Sequence, residues 1–349
     1  EHLLIKLLNM SPLKSTLILI MALITHDVFS QYTDVINSNR PGVSRSAFSV
    51  GTNVAQFEVG PYIINEERAP ATAYEVSGFG ADFSVRYGLL WEELELNIEG
   101  TYQNDTKTFT SNLSPDNKRS NFKTIAIGAK YLVFDPYKNE AANKPDLYSW
   151  KANHSFRWKS LIPAVAVYAG ANFDTENNPY TAPGIEGFSP KIMLATQNNF
   201  AGGWVFVMNF IKDRIGTDQS DFSYILTLTH SFSPQWVIFG EVQGIQSDFY
   251  ADNLFRFGGA YLWSKNFQLD TAITFNNKDT PSVFSLNLGM SYRLDFHKDK
   301  EIDNGTSAKD EGKRRSNREG KKKKRKKGDD DADEPIKKQK RDDVDFGDN

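Results

Sequence analysis

The chain has 349 residues, 39% of them hydrophobic and 13% aromatic, with no cysteine and a net charge of −3 at pH 7. Without thiols it has no disulfides and no thiolate metal sites, and so small a net charge points to no particular partner. A mean hydropathy of −0.50, and no apolar run of about 18 residues in the body of the chain, exclude membrane helices but not membrane strands, which need only every second residue apolar.

Residues 1–9 precede the first methionine and read as translated upstream sequence. From Met10 the pattern is that of a secretory signal peptide: Lys14, the apolar run Leu17–Ile24, then Val28-Phe29-Ser30 before Gln31. Cleavage after Ser30 makes Gln31 the mature N-terminus and marks an exported protein. Residues 31–52 are a short polar lead containing Asn39-Arg40-Pro41-Gly42, expected on the periplasmic side ahead of the first strand.

Alternating apolar and polar residues then fill 53–296, in twelve segments at 53–64, 76–88, 92–103, 120–134, 161–173, 189–199, 203–213, 221–231, 235–246, 252–263, 266–276 and 282–296. Each is close to the roughly 9–11 residues a tilted strand needs to cross a bilayer. In the third, Leu94, Leu96 and Ile98 alternate with Glu93, Glu95, Asn97 and Glu99; in the last, Phe284, Leu286, Leu288, Met290, Tyr292, Leu294 and Phe296 alternate with polar residues. Side chains alternate across a strand, so one face is continuously apolar and the other polar even at strand centres. A soluble core would keep charge away from those centres, whereas a membrane barrel turns the apolar face to lipid and the polar face to its lumen. Connection lengths agree. Those after even-numbered segments are tight turns, such as Leu89-Leu90-Trp91, Phe232-Ser233-Pro234 and Ser264-Lys265, while Asn104–Arg119 and Asp174–Phe188, after odd-numbered segments, are long and polar. That sorting suits periplasmic turns and outer loops. Asp135–Ser160 breaks it, and its Trp150, Phe156 and Trp158 suggest a segment lying at the membrane edge. The expected fold is an all-β, antiparallel transmembrane barrel of about twelve strands, in the outer membrane of a Gram-negative bacterium.

Residues 297–349 differ in kind, with basic blocks at Lys313–Arg318 and Lys321–Lys327 followed by acidic Asp329–Glu334. Such a composition cannot bury a core and reads as a disordered tail. The last strand ends on the periplasmic side, so the tail is expected there, where basic blocks suit anionic cell-wall polymer or a periplasmic protein. Export argues against nucleic acid as its partner.

The mature chain holds three histidines, His154, His230 and His297, none within a Ser/His/acid arrangement, and no metal-ligand spacing. Neither a catalytic residue nor a cofactor is expected. The functional candidates are charges that alternation turns inward: Glu58, Asp82, Arg86, Glu95, Glu99, Lys130, Glu241, Arg256, Asp270, Arg293 and Asp295. They suit either the polar lining of a solute path or a mutually neutralising network filling a narrow interior.

Asn39-Arg40-Pro41-Gly42, the strand Gln56-Phe57-Glu58-Val59-Gly60 and the segment Thr124–Tyr131 (TIAIGAKY) resemble motifs of the "meta-pathway of phenol degradation" family, with Asn39 where an Asp is more usual. The resemblance spans Asn39–Phe296 and implies an outer-membrane transporter passing small, often hydrophobic solutes. It does not extend to a phenolic substrate, because no residues mark an aromatic pocket. Tyr292, Leu294 and Phe296 resemble the C-terminal aromatic signal read by the outer-membrane barrel-assembly machinery. A structural or assembly barrel, tethered through its tail, is the alternative function.

Overall fold

The computed structural model describes residues 35–68, 73–110, 115–138, 158–248 and 250–296. The segments expected as upstream sequence (1–9), signal peptide (10–30) and tail (297–349), and Trp150, His154, Phe156 and His297, lie outside them. Twelve strands follow in order: β1 Val54–Arg68, β2 Tyr74–Gly88, β3 Leu94–Phe109, β4 Asn117–Phe134, β5 Ala164–Asp174, β6 Gly187–Phe200, β7 Trp204–Asp213, β8 Asp221–Ser231, β9 Trp236–Gln246, β10 Ala251–Ser264, β11 Phe267–Asn276 and β12 Ser282–Asp295. Every expected strand is present. Each pairs antiparallel with its sequence neighbours, and β1 pairs with β12 from Val54↔Asp295 to Glu67↔Ser282 to close the barrel. Closure satisfies the backbone of what would otherwise be two sheet edges, as a bilayer interior requires.

The wall is inside out relative to a soluble protein. Phe57, Phe79, Ile127, Ile192, Ile238, Leu288 and Met290 are each 44% exposed or more, while inward Arg86, Glu95, Lys130 and Glu241 are at most 1% exposed. An apolar surface of this extent is stable only against lipid. The barrel spans a membrane. Its ends differ. The end carrying the connections after β2, β6, β8 and β10 (the turn end) holds all five described tryptophans, Trp91, Trp158, Trp204, Trp236 and Trp263, each at least 40% exposed. Such a ring suits the interface between lipid and water. In the long connection after β4, Trp158–Leu161 forms a single 3-10 turn. Trp158 is 80% exposed there, in keeping with a segment at the membrane edge.

The wall departs from the expected spans at the opposite, loop end. Residues 104–119, expected as one polar loop, are mostly strand: β3 runs to Phe109 and β4 starts at Asn117. Both faces are polar there, so alternation disappears although the ladder continues. A bulge contributes. Thr101 pairs with Thr124 and Tyr102 with Phe122, which leaves Lys123 as the extra residue. On one side of the bulge the even-numbered Ala126 and Lys130 face inward. Beyond it the odd-numbered Arg119 does, reaching Asp105 across the ladder at 2.7 Å.

Candidate functional site

The lumen is divided along its length. Toward the turn end it holds residues 36–50, the segment expected to lie outside as a periplasmic lead. This is a correction, and its cause is chemical. The segment is too polar to pair with lipid-facing strands, and its backbone groups satisfy the inward charges. The Ile36 amide donates to the Lys265 carbonyl in the turn after β10 (2.8 Å), and the Asn53 amide donates to the Gly88 carbonyl (3.0 Å). Both ends of the loop therefore sit at the turn end, with its bend inside the barrel.

Between those ends the wall holds the loop through side chains. The Asn39 amide donates to Glu58 at 3.2 Å, the Val43 and Ser44 amides to the Glu241 carboxylate at 3.1 Å, and the Val50 amide to Glu95 at 3.1 Å. Lys130 Nζ donates to the carbonyls of Ser46 and Phe48, each at 2.9 Å, and Arg86 Nη1 to that of Asn37 at 2.7 Å. Asn209 accepts from the Arg45 amide (2.6 Å) and donates to its carbonyl (2.8 Å). Ser46 Oγ donates to Gln197, and the Ser38 and Ser291 hydroxyls share a bond of 2.7 Å. Ala47 is fully buried among Leu132, Ala164, Ala166 and Ala195, with Phe48 and Tyr137 packed beside them.

Arg40 and Arg45 are the loop's own charges. Arg40 pairs with Asp270 at 3.2 Å, and its guanidinium lies where a Cβ at Gly60 of β1 or Gly289 of β12 would stand. Arg45 pairs with Glu99, which Lys191 also reaches at 2.9 Å. A Cβ at Gly42 would collide with the Glu241 carboxylate, so glycine there lets the next two amides approach it. Behind these contacts the wall charges pair with one another. Arg86 bridges Glu95 at 2.8 Å and Glu58 at 3.5 Å, Lys130 meets Glu95 at 3.4 Å, and Arg256 meets Glu241 at 3.1 Å. Buried charges persist only when paired and hydrogen-bonded in this way.

Toward the loop end the lumen opens into a cavity of about 990 Å³, floored by Asn39, Arg40, Gly42, Val43 and Arg45. One arc of its wall carries Asp82, Glu99, Thr101 and Gln103; on the opposite arc Met193, Ile211, Ile225 and Leu254 stand among Lys191, Asp213, Asp221 and Arg256. Tyr180, in the connection after β5, leans across it with its hydroxyl 3.1 Å from Asp105 and the Arg119 guanidinium 5.1 Å from its ring. Burial and the Asp105 carboxylate raise the pKa of that phenol.

Of the eleven charges expected to face inward, seven contact the loop: Glu58, Arg86, Glu95, Glu99, Lys130, Glu241 and Asp270. Arg256 supports Glu241, and Asp82 accepts from Thr101 at 2.7 Å above the loop. Arg293 and Asp295 stand apart, 3.6 Å from each other at the turn-end mouth, where Arg293 also donates to Asn266. His230 stacks on Trp204 with ring centroids 4.2 Å apart.

A family model described as "Putative MetA-pathway of phenol degradation" matches residues 38–294. The chain belongs to that family. The match to the phenol-degradation family opens at Ser38, inside the luminal loop rather than at the first strand. No curated protein matches the chain. Among solved structures, the COG4313 outer membrane channel from Pseudomonas putida F1 is similar at 10% identity and a TM-score of 0.47, over 74% of this chain and 100% of that one. The translocator domain of the autotransporter NalP from Neisseria meningitidis is similar at 9% identity and 0.42, over 70% and 89%. The KdgM porin is similar at 10% identity and 0.38, over 68% and 99%.

The three motifs that carry the family resemblance all bear on the luminal loop in this member. Asn39-Arg40-Pro41-Gly42 is the bend of the loop, Glu58 and Gly60 receive Asn39 and Arg40, and Lys130 holds the carbonyls of Ser46 and Phe48. Reasoning from alternation missed Asn39, Arg40 and Arg45, because a segment without alternation offers no face to assign; Gln197 of β6 and Asn209 of β7 were passed over because the inward candidates were chosen by charge. The available signal was the pair Arg40 and Arg45 in an otherwise polar stretch before a barrel whose lumen contains carboxylates.

Proposed function

We propose that this barrel is a channel in the outer membrane of a Gram-negative bacterium, passing small molecules by diffusion through its polar, charge-lined lumen. The short turns and residues 297–349 then face the periplasm, and the long connections face outside. The observation that carries this reading is the cavity of about 990 Å³, which reaches Tyr74, Tyr250 and Pro281 at the loop end. No packed core needs such a space, and a solute path does. Its apolar residues, set among charged ones, suit small solutes with an apolar part. The reading calls for no cofactor and no catalytic residue. Tyr292, Leu294 and Phe296 serve in this proposal as the signal recognised by the barrel-assembly machinery.

Filling of the turn half by residues 36–50 favours a second reading, a structural barrel whose tail tethers cell-wall polymer or a periplasmic protein. Liposome swelling with the purified barrel separates the two. Entry of small sugars and amino acids, falling with solute size, is the expected result, and impermeable liposomes containing folded barrel would count against the channel.

A further inference from the structure

We propose that residues 36–50 are a removable stopper latched by Arg40 on Asp270, and that solute passes when the stopper leaves its seat. The inference rests on the channel reading above. Three observations carry it. First, the wall is complete without the loop: β1 and β12 pair along their length, and the backbone bonds tying the loop to the barrel lie at its ends, at Ile36 and Asn53. Departure of the loop therefore opens no sheet edge. Second, most wall groups that hold the loop keep a wall partner when it goes. Glu95 retains Arg86 and Lys130, Glu241 retains Arg256 and Thr227, and Glu99 retains Lys191. Removing one member of a buried ion pair is costly, and here that cost falls on Asp270, whose ion-pair partner is Arg40. Asp270 is thus the latch. Third, Asn39, Arg40, Gly42, Val43 and Arg45 form the floor of the cavity, so the loop stands between it and the turn end.

The stopper also sets the charge of the path. With the loop seated, Arg40 and Arg45 neutralise Asp270 and Glu99. With it withdrawn, the wall at that level presents Glu58, Glu95, Glu99, Glu241 and Asp270 against Arg86, Lys130, Lys191 and Arg256. The unstoppered lumen prefers cations.

The chain contains no cysteine, so an introduced pair reports without background. Ser38→Cys with Ser291→Cys places two thiols where hydroxyls now share a hydrogen bond. Planar-bilayer currents through the folded full-length barrel are expected to stay low while the pair is oxidised. On reduction they should rise several-fold, with the reversal potential in a KCl gradient moving toward potassium. Arg40→Ala, which removes the latch, should reproduce the reduced behaviour without added reductant. Equal, non-zero currents in the oxidised and reduced forms overturn the stopper and leave the channel standing. No current in either form or in Arg40→Ala overturns the channel itself. Failure of the pair to cross-link in the folded barrel overturns the seat on which the stopper depends.

Discussion

Arg40 reaches Asp270 only because β1 and β12 each withhold a side chain beside it. At Gly60 and Gly289 even a methyl group would occupy the volume of the guanidinium. Gly60→Val, whose Cβ would meet the Arg40 guanidinium first, should therefore expel Arg40 and leave Asp270 buried without its counter-ion, while the lipid-facing surface is untouched. The expected outcome is a folded barrel in which the Ser38 and Ser291 cysteine pair no longer cross-links. Arg86 is a different case, because it belongs to the wall as well as to the seat. It is fully buried, bridges Glu58 and Glu95, and donates to the Asn37 carbonyl. Arg86→Met takes the cation from Glu58 and leaves Glu95 with Lys130 alone, and losing one partner of a buried pair costs about 3–5 kcal/mol. Urea unfolding of the barrel in detergent should show a loss of that order, with Arg86→Lys between the variant and the parent because a single ammonium replaces a two-pronged donor.

At the scale of the element, β4 shows what alternation can and cannot reveal. Its lipid-crossing part was legible because Ile125, Ile127, Tyr131 and Val133 fall on one face. Its outer part was not, since above the bulge at Lys123 the inward parity changes and both faces are polar. Deleting Lys123 removes the extra residue and should turn Arg119 away from Asp105, at a cost of about 1–3 kcal/mol for the loss of the donor to Oδ1, while Gln103 and Tyr180 still donate to Oδ2. The readout is faster proteolysis of the 110–116 connection with the rest of the barrel intact. The last strand is the opposite case. Its alternation is unbroken from Phe284 to Phe296, and the outward residues Phe284, Leu288, Met290, Tyr292 and Phe296 are all at least 46% exposed. Phe296→Ala combined with Tyr292→Ala is expected to lower the yield of assembled barrel in cells several-fold. Refolding of the same purified variant into detergent should change little, because assembly machinery takes no part there.

For the whole molecule, the sequence carried the wall far better than the interior. A membrane wall repeats one rule at every second residue, so twelve strands were readable from one chain. The luminal loop obeys no period. It is specified by contacts between residues far apart in sequence, Arg40 with Asp270 and Ser38 with Ser291, which a linear pattern does not display. Glu58, Glu95 and Glu241 were found as inward carboxylates, yet the amides they accept from could be named only once the loop was placed. Those sequence separations, 230 and 253 residues, also order events in time. Residues 36–50 leave the ribosome before any strand of the barrel, but two of the groups that seat them, Asp270 and Ser291, belong to the final two strands. They can be fully seated only after the barrel has closed, so a segment made before the strands is positioned after them. A correctly seated loop is thus a record that closure succeeded, and a barrel halted before β12 would carry that segment loose at its turn end.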